Sequence, residues 1–178
     1  MRGIMKQITF GFVAVFFLLL TVSIRTSAQS DAFIWVPAGQ EGQHPGYRRV
    51  VGGKLNDGTP LPVCRAVING FQVPGKYYDR LCLMPWHGKE LSDGQKIDIF
   101  MTKGSSTWRA VHDLSRAQIE GGAVFASSGS GVGNEYICRR QMQDGTHPGK
   151  YALGNANCYI SWGGKEYHFT DGFDILFK

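Results

Sequence analysis

Apolar and polar residues alternate in short runs along most of the chain. From Leu61 to Ile68, one face of an extended segment carries Cys64, Ala66 and Ile68 and the other carries Leu61, Val63, Arg65 and Val67, which predicts a strand. Leu81 to Trp86 reads as the next strand, and the runs Ile97 to Met101 and Phe173 to Phe177 read as closing strands. Asn69-Gly70 and Pro74-Gly75 punctuate the link between the first two, as Asp144-Gly145 and Pro148-Gly149 do further on. Beyond Ala28 no long stretch keeps a helical period. The pattern predicts an all-β protein of antiparallel sheets packed as a sandwich.

The one long apolar run, Ile8 to Ile24, follows the basic residues Arg2 and Lys6 and is followed by the small residues Thr26, Ser27 and Ala28. That order predicts a secretory signal over residues 1–28, cleaved near Ala28, and the apolar run is short for a membrane anchor. With Arg2, Lys6 and Arg25 in the leader, 16 basic residues face 14 acidic ones in the remainder, a balance of +2. The sequence pI of 9.1 is therefore no argument for nucleic acid as a partner. Glycine is frequent at 24 residues and charged residues make up only 19%, which excludes disorder and long helical bundles. The four cysteines, Cys64, Cys82, Cys138 and Cys158, all follow the leader, and in an oxidising compartment they predict two disulfides. Even the closest two, Cys64 and Cys82, stand much farther apart than the close pairs of zinc sites, so neither metal nor cofactor is expected.

Sliding the chain against itself by about 75 positions aligns Trp35 with Trp108, Cys64-Arg65 with Cys138-Arg139, and Pro74-Gly75-Lys76-Tyr77 with Pro148-Gly149-Lys150-Tyr151. Cys82, Trp86, Gly88, Lys89 and Glu90 align with Cys158, Trp162, Gly164, Lys165 and Glu166, and Asp98-Ile99 with Asp174-Ile175. Gly52-Gly53 aligns with Gly121-Gly122 at a smaller offset. So many ordered matches define a tandem repeat of about 70 residues, assigned here to 29–104 and 105–178, whose copies complete one another's cores with pseudo-twofold symmetry. The midpoints of Cys64 and Cys82 and of Cys138 and Cys158 fall beside Pro74 and at Pro148. Residues equidistant from a hairpin turn face each other, so Cys64–Cys82 and Cys138–Cys158 is the preferred pairing; bridges between the copies are the rival.

These matched residues resemble the DM-nine repeat family, whose signature is a strand ending in Arg-Ala, then Pro-Gly-Lys, then Gly-Gly-Lys-Glu. The resemblance covers nearly everything after the leader. It implies a β-sandwich of two repeats and recognition of carbohydrate, mannose-type glycans among them, with the Pro-Gly-Lys lysines, Lys76 and Lys150, as sugar-contacting residues. The family's early aspartate, two places after a glycine, is replaced here by Leu55 after Gly53 and Val124 after Gly122; Asp57 is the nearby acidic candidate in the first copy.

Read as chemistry, the two lysines stand just after turns, so their ammonium groups should project from one end of the sheets as two equal sites, or one site on the axis. Glu90 and Glu166 are candidate acceptors for sugar hydroxyls, with a structural pairing to Arg65 and Arg139 as the competing role. Trp86 and Trp162 share the cysteine faces, which favours core packing over stacking on a ligand. Asp98 and Asp174 are expected to satisfy backbone groups. A polysaccharide hydrolase would need two carboxylates such as Glu90 with Asp98, but that pair recurs as Glu166 with Asp174, which argues architecture. None of the five histidines, His44, His87, His112, His147 and His168, matches another in the repeat, and Ser127 to Asn134 reads as a Gly/Ser-rich surface loop. The expectation is a secreted, non-enzymatic, lectin-like protein, extracellular or periplasmic, whose partners are glycans rather than nucleic acid or, once the leader is cleaved, membrane. A homodimer is compatible with it; a structural or protein-interaction scaffold is the first alternative and the hydrolase the second.

Overall fold

The computed structural model describes residues 32–93, 96–128 and 133–178; the expected signal segment lies outside them. The first copy supplies strands β1 (Phe33–Pro37), β2 (Arg48–Arg49), β3 (Val51–Leu55), β4 (Pro60–Ile68), β5 (Phe71–Tyr78), β6 (Leu81–Trp86), β7 (Lys89–Asp93) and β8 (Ile97–Thr102). The second supplies β9 (Thr107–Ala110), β10 (Phe125–Ser128), β11 (Asn134–Met142), β12 (Gly145–Ala152), β13 (Asn157–Trp162), β14 (Lys165–Phe169) and β15 (Asp174–Phe177). Between β9 and β10 lies a short helix, α1 (Arg116–Gly122), started by a capping box in which Ser115 and Gln118 satisfy each other's backbone amides.

The all-β expectation holds, and the strand arrangement is more closed than a sandwich. All pairings are antiparallel, and the ladder runs β4-β5-β6-β7-β14-β13-β12. β3 then pairs with β4 on one side and β12 on the other, so these eight strands form a closed barrel without a free edge. At the closure the backbones nearly touch. A Cβ on Gly53 would lie 1.8 Å from the carbonyl oxygen of Thr146, and one on Gly145 2.2 Å from that of Lys54. Outside the ring, β8 extends β4 and carries β1 and β2, while β11 extends β12 and carries β10 and β15, with β9 on β15.

Two-residue turns in the left-handed backbone region make several of the hairpins. Asn69-Gly70 joins β4 to β5 and Gly163-Gly164 joins β13 to β14, as their composition suggests. Asp79-Arg80 turns β5 into β6 without a glycine. Consequently Phe71–Tyr78, expected to be a link, is a full strand, and Pro74-Gly75 lies in its middle rather than at a turn. A Cβ on Gly75 would sit 2.1 Å from the Leu83 carbonyl oxygen, and one on Gly149 2.0 Å from that of Tyr159.

Cys64 and Cys82 are bridged, as are Cys138 and Cys158, with Cα separations of 5.9 and 6.1 Å. The preferred pairing is present, but not because the cysteines share a hairpin. Cys64 opposes Gly75 and Cys82 opposes Tyr77, as Cys138 opposes Gly149 and Cys158 opposes Tyr151, so each bridge joins the outer strands of a three-stranded unit across the central one.

Cys64 and Cys82 sit in one buried cluster with Val36, Met84, Trp86 and Ile99; Cys138 and Cys158 sit in another with Tyr136, Tyr151, Ile160 and Ile175. A third cluster draws Val50, Val63 and Phe100 from the first copy and Val124, Ala126, Ile137 and Leu176 from the second. Backbone bonds Val50 N to Phe100 O and Val63 N to Val50 O reappear as Val124 N to Leu176 O and Ile137 N to Val124 O. This corrects one alignment: Val50 corresponds to Val124 and Gly52-Gly53 to Ala126-Ser127, while Gly121-Gly122 close the inserted helix. Ser127 and Ser128 are strand residues, not loop, and Ser127 is buried.

Candidate functional site

Lys76 pairs across the sheet with Val63 and Lys150 with Ile137, both fully buried, so each lysine faces the interior. Lys76 and Lys150 are only 5% and 7% exposed, so the expectation that they project from the sheet ends is overturned. Each ammonium therefore needs a buried counter-charge.

Lys76 finds one in Glu90 of β7, with Nζ 2.9 Å from Oε1, and also donates to the backbone carbonyl of Ser161 in the second copy. Burial pushes the Lys76 ammonium below the ordinary lysine value, and the Glu90 bond and charge pull it partly back. The second Glu90 oxygen accepts from the amide of Gly164 at 2.8 Å, while Glu166 reciprocally accepts from Gly88 at 2.6 Å. Glu90 N donates to Gly164 O and Glu166 N to Gly88 O, each at 3.2 Å, around the Lys89–Lys165 pairing that joins β7 to β14. The glutamates thus clip the two copies together and do not pair with Arg65 or Arg139.

Those arginines bind the aspartates instead. Arg65 Nε lies 3.0 Å from Asp98 and Arg139 Nε 2.9 Å from Asp174, each guanidinium lying over a matched tryptophan, Trp35 or Trp108, at 4.3 and 4.4 Å from the ring centroid. Asp98 and Asp174 are therefore side-chain partners, not backbone acceptors, and the Glu90 with Asp98 pairing considered for hydrolysis has its aspartate committed to Arg65.

Lys76 and Glu90 line a cleft of about 330 Å³ built by both copies: Leu55, Leu61, Tyr78 and Leu83 from the first, Asp144, His147, Trp162 and Gly163 from the second. Asp144 Oδ1 lies 2.8 Å from His147 Nε2, and Asp144 also takes a hydrogen bond from Trp162. Burial pushes the Asp144 carboxyl up, but the Trp162 and His147 contacts outweigh it and hold the group below the ordinary aspartate value. Burial, reinforced by the Lys76 charge, holds the His147 imidazole below the ordinary histidine value against the pull of Asp144. His147 is 2% exposed, and its buried Nδ1 has no partner among the described residues. Leucines, two aromatic rings, an ammonium and carboxylates thus meet in one concave site.

The second lysine has different surroundings. Lys150 Nζ lies between the rings of Trp86 and Tyr159, 5.1 and 5.4 Å from their centroids, and 3.7 Å from Glu135 Oε1, whose other oxygen accepts from Ser127 at 2.8 Å. The two lysine environments are unequal, contrary to expectation. Asp57 is exposed and accepts from the Thr59 amide in its own turn; it does not line the cleft. Glu166 is confined to the clip.

Three residues here are not among the sequence's site candidates: Asp144, read there only as a turn residue, His147, read only as a histidine without a repeat match, and Glu135. His147 stands where the first copy has Val73, and Glu135 where it has Leu61. A polar residue at a repeat position whose counterpart is apolar was the available signal. Trp86 packs in the core as expected, whereas Trp162 is half-buried in the cleft.

Fold and site together define a repeat-built β protein with a composite cleft, and among the described residues no helix is long and apolar enough to cross a membrane. The DM9 repeat profile matches residues 16–93 and 128–178, and the chain belongs to the DM9 repeat family. No curated protein matches its sequence closely. Among solved structures it is similar to the nematode sperm cell motility protein MFP2B, with a TM-score of 0.56 and 17% identity over 72% of this chain. This chain covers 40% of that protein, and at this identity the likeness extends to the fold alone.

Proposed function

We propose that this DM9 repeat protein is a non-enzymatic carbohydrate-binding protein of an extracellular or periplasmic compartment, and that the Lys76–Glu90–Asp144–His147–Trp162 cleft receives the glycan. The observation that carries the reading is the composition of that cleft. Sugars present vicinal hydroxyls on one edge and C–H groups on a face, and here charged donors and acceptors stand beside the Trp162 and Tyr78 rings. Mannose-type glycans are the first ligands to try. The two disulfides support an oxidising compartment. The matched ladders and the reciprocal Glu90 and Glu166 clips support an approximate twofold axis between the copies.

The non-enzymatic reading rests on the carboxylates being occupied: Glu90 by Lys76 and Gly164, Asp144 by His147 and Trp162. A glycan array with the wild-type protein and the Trp162→Ala and Asp144→Ala variants tests the assignment. Binding to a defined glycan class, reduced at least tenfold in both variants, is expected. A flat profile together with a stable co-purifying protein would instead establish the scaffold reading.

A further inference from the structure

A groove of about 650 Å³ lies apart in lining from the Lys76 cleft. Its walls are Val51, Gly53 and Lys54 of β3 and the Arg139, Arg140 and Gln141 edge of β11, with Trp108, Thr146 and Asp174 completing it. Three cations and one carboxylate line it, leaving a local charge of +2.

The two guanidinium groups are held in place. Arg139 lies over Trp108 with Nε on Asp174; Arg140 lies over Phe169, 4.0 Å from the ring centroid, and donates to the Asp171 carbonyl. Each arginine carries five N–H donors, and these contacts engage few of them. The first copy has the same tryptophan–arginine–aspartate unit but no comparable cationic set. Ala66 and Val67 stand where the second copy has Arg140 and Gln141, and Arg65 uses a further donor on the Ala126 carbonyl. The Arg65 side chain is 16% exposed against 30% for Arg139. The shared unit is scaffold, and the cations added to it in one copy only are what the scaffold does not require.

We propose that this groove is a second binding site, for the carboxylate or sulfate groups of an acidic polysaccharide. Planar guanidinium forks match both anions, and Arg139 and Arg140, fixed on their ring platforms, sacrifice little side-chain freedom on binding. Lys54, exposed on the opposite wall, supplies a further charge; Thr146 Oγ1 donates to Gln141 Oε1 and Gln141 Nε2 to the Met142 carbonyl, leaving the Thr146 hydroxyl oxygen as an acceptor for a sugar hydroxyl. The site is independent of the Lys76 cleft and stands or falls separately from it.

The test is titration of the full chain with heparin, polygalacturonate, neutral dextran and polyglutamate, for the wild type and the Lys54→Glu, Arg140→Gln and Trp162→Ala variants. Lys54 is exposed, so its reversal leaves folding intact even if Arg140→Gln, which loses the Asp171 contact, does not. We expect salt-sensitive binding to heparin, to polygalacturonate or to both, about tenfold weaker in Lys54→Glu and unchanged in Trp162→Ala. Heparin alone identifies sulfate as the recognised group, and polygalacturonate alone identifies carboxylate. Absence of binding to both, equal binding to polyglutamate, indifference to Lys54→Glu, or loss in Trp162→Ala would each overturn the proposal.

Discussion

Glu90 and Glu166 occupy the same place in the repeat, yet their neutralisation should cost very different amounts. Glu90→Gln keeps an oxygen for the Gly164 amide but removes the negative charge beside Lys76, whose ammonium is 5% exposed. Removing one partner of a buried ion pair costs about 3–5 kcal/mol. Because the Glu90 side chain is itself 13% exposed and the amide oxygen still faces the ammonium, the lower end, about 3 kcal/mol, is expected. For a domain near 150 residues that is a fall in melting temperature of roughly 6–12 °C. Glu166→Gln likewise keeps its bond to Gly88, but Lys150 has its counter-charge in Glu135, so only about 1 kcal/mol is lost. Lys76→Met should cost less than Glu90→Gln, because the freed carboxylate keeps the Gly164 amide and partial access to water. Urea denaturation of both single variants and of Lys76→Met with Glu90→Gln then gives a coupling energy of about 2 kcal/mol or more. Equal losses for Glu90→Gln and Glu166→Gln, or a coupling near zero, would refute the claim that the copies hold their lysines by different acids.

Replacing Cys64 and Cys82 by serine opens a loop with a sequence separation of 18 and should lower stability by about 3 kcal/mol, measured by denaturant unfolding. Gly75→Ala places a methyl 2.1 Å from the Leu83 carbonyl oxygen and should cost about 3 kcal/mol or prevent folding, visible as loss of soluble monomer. His147 has its folded-state pKa below the ordinary value, so the unfolded chain takes up a proton first as pH falls. Its contribution to stability is intact above about pH 6.5 and is lost as pH drops from there toward the folded value. His147→Gln should flatten the melting temperature between pH 7 and pH 5, and a slope identical to the wild type would rule out that residue as the source.

Period-two patterning exposed β4, β6, β8 and β15 because each buries one face against a cluster. It misses β5 and β12, where Pro74-Gly75 and Pro148-Gly149 look like turns although each dipeptide lies mid-strand. Barrel closure was illegible for a related reason: the β3 to β12 pairing joins positions far apart in the chain, Leu55 to Gly145 and Lys54 to Thr146, through two glycine contacts, and no local pattern encodes it. For the site, the repeat itself misled. Matching residues drew attention to Lys76, Lys150, Glu90 and Glu166, whereas the cleft owes its character equally to Asp144 and His147, which have no like counterparts. Burial of the lysines follows from their pairing with Val63 and Ile137 on the buried face, which depends on reading Pro74-Gly75 and Pro148-Gly149 as strand rather than turn.

Glycan binding in the cleft shared by the two copies is tested most directly by saturation-transfer NMR of the wild-type protein with mannose-type oligosaccharides, read alongside the shift of the Trp162 indole proton. Transfer to the sugar ring with movement of the Trp162 resonance, both lost in Asp144→Ala, is predicted. Transfer that leaves Trp162 unmoved, or no transfer to any neutral glycan tried, would contradict it.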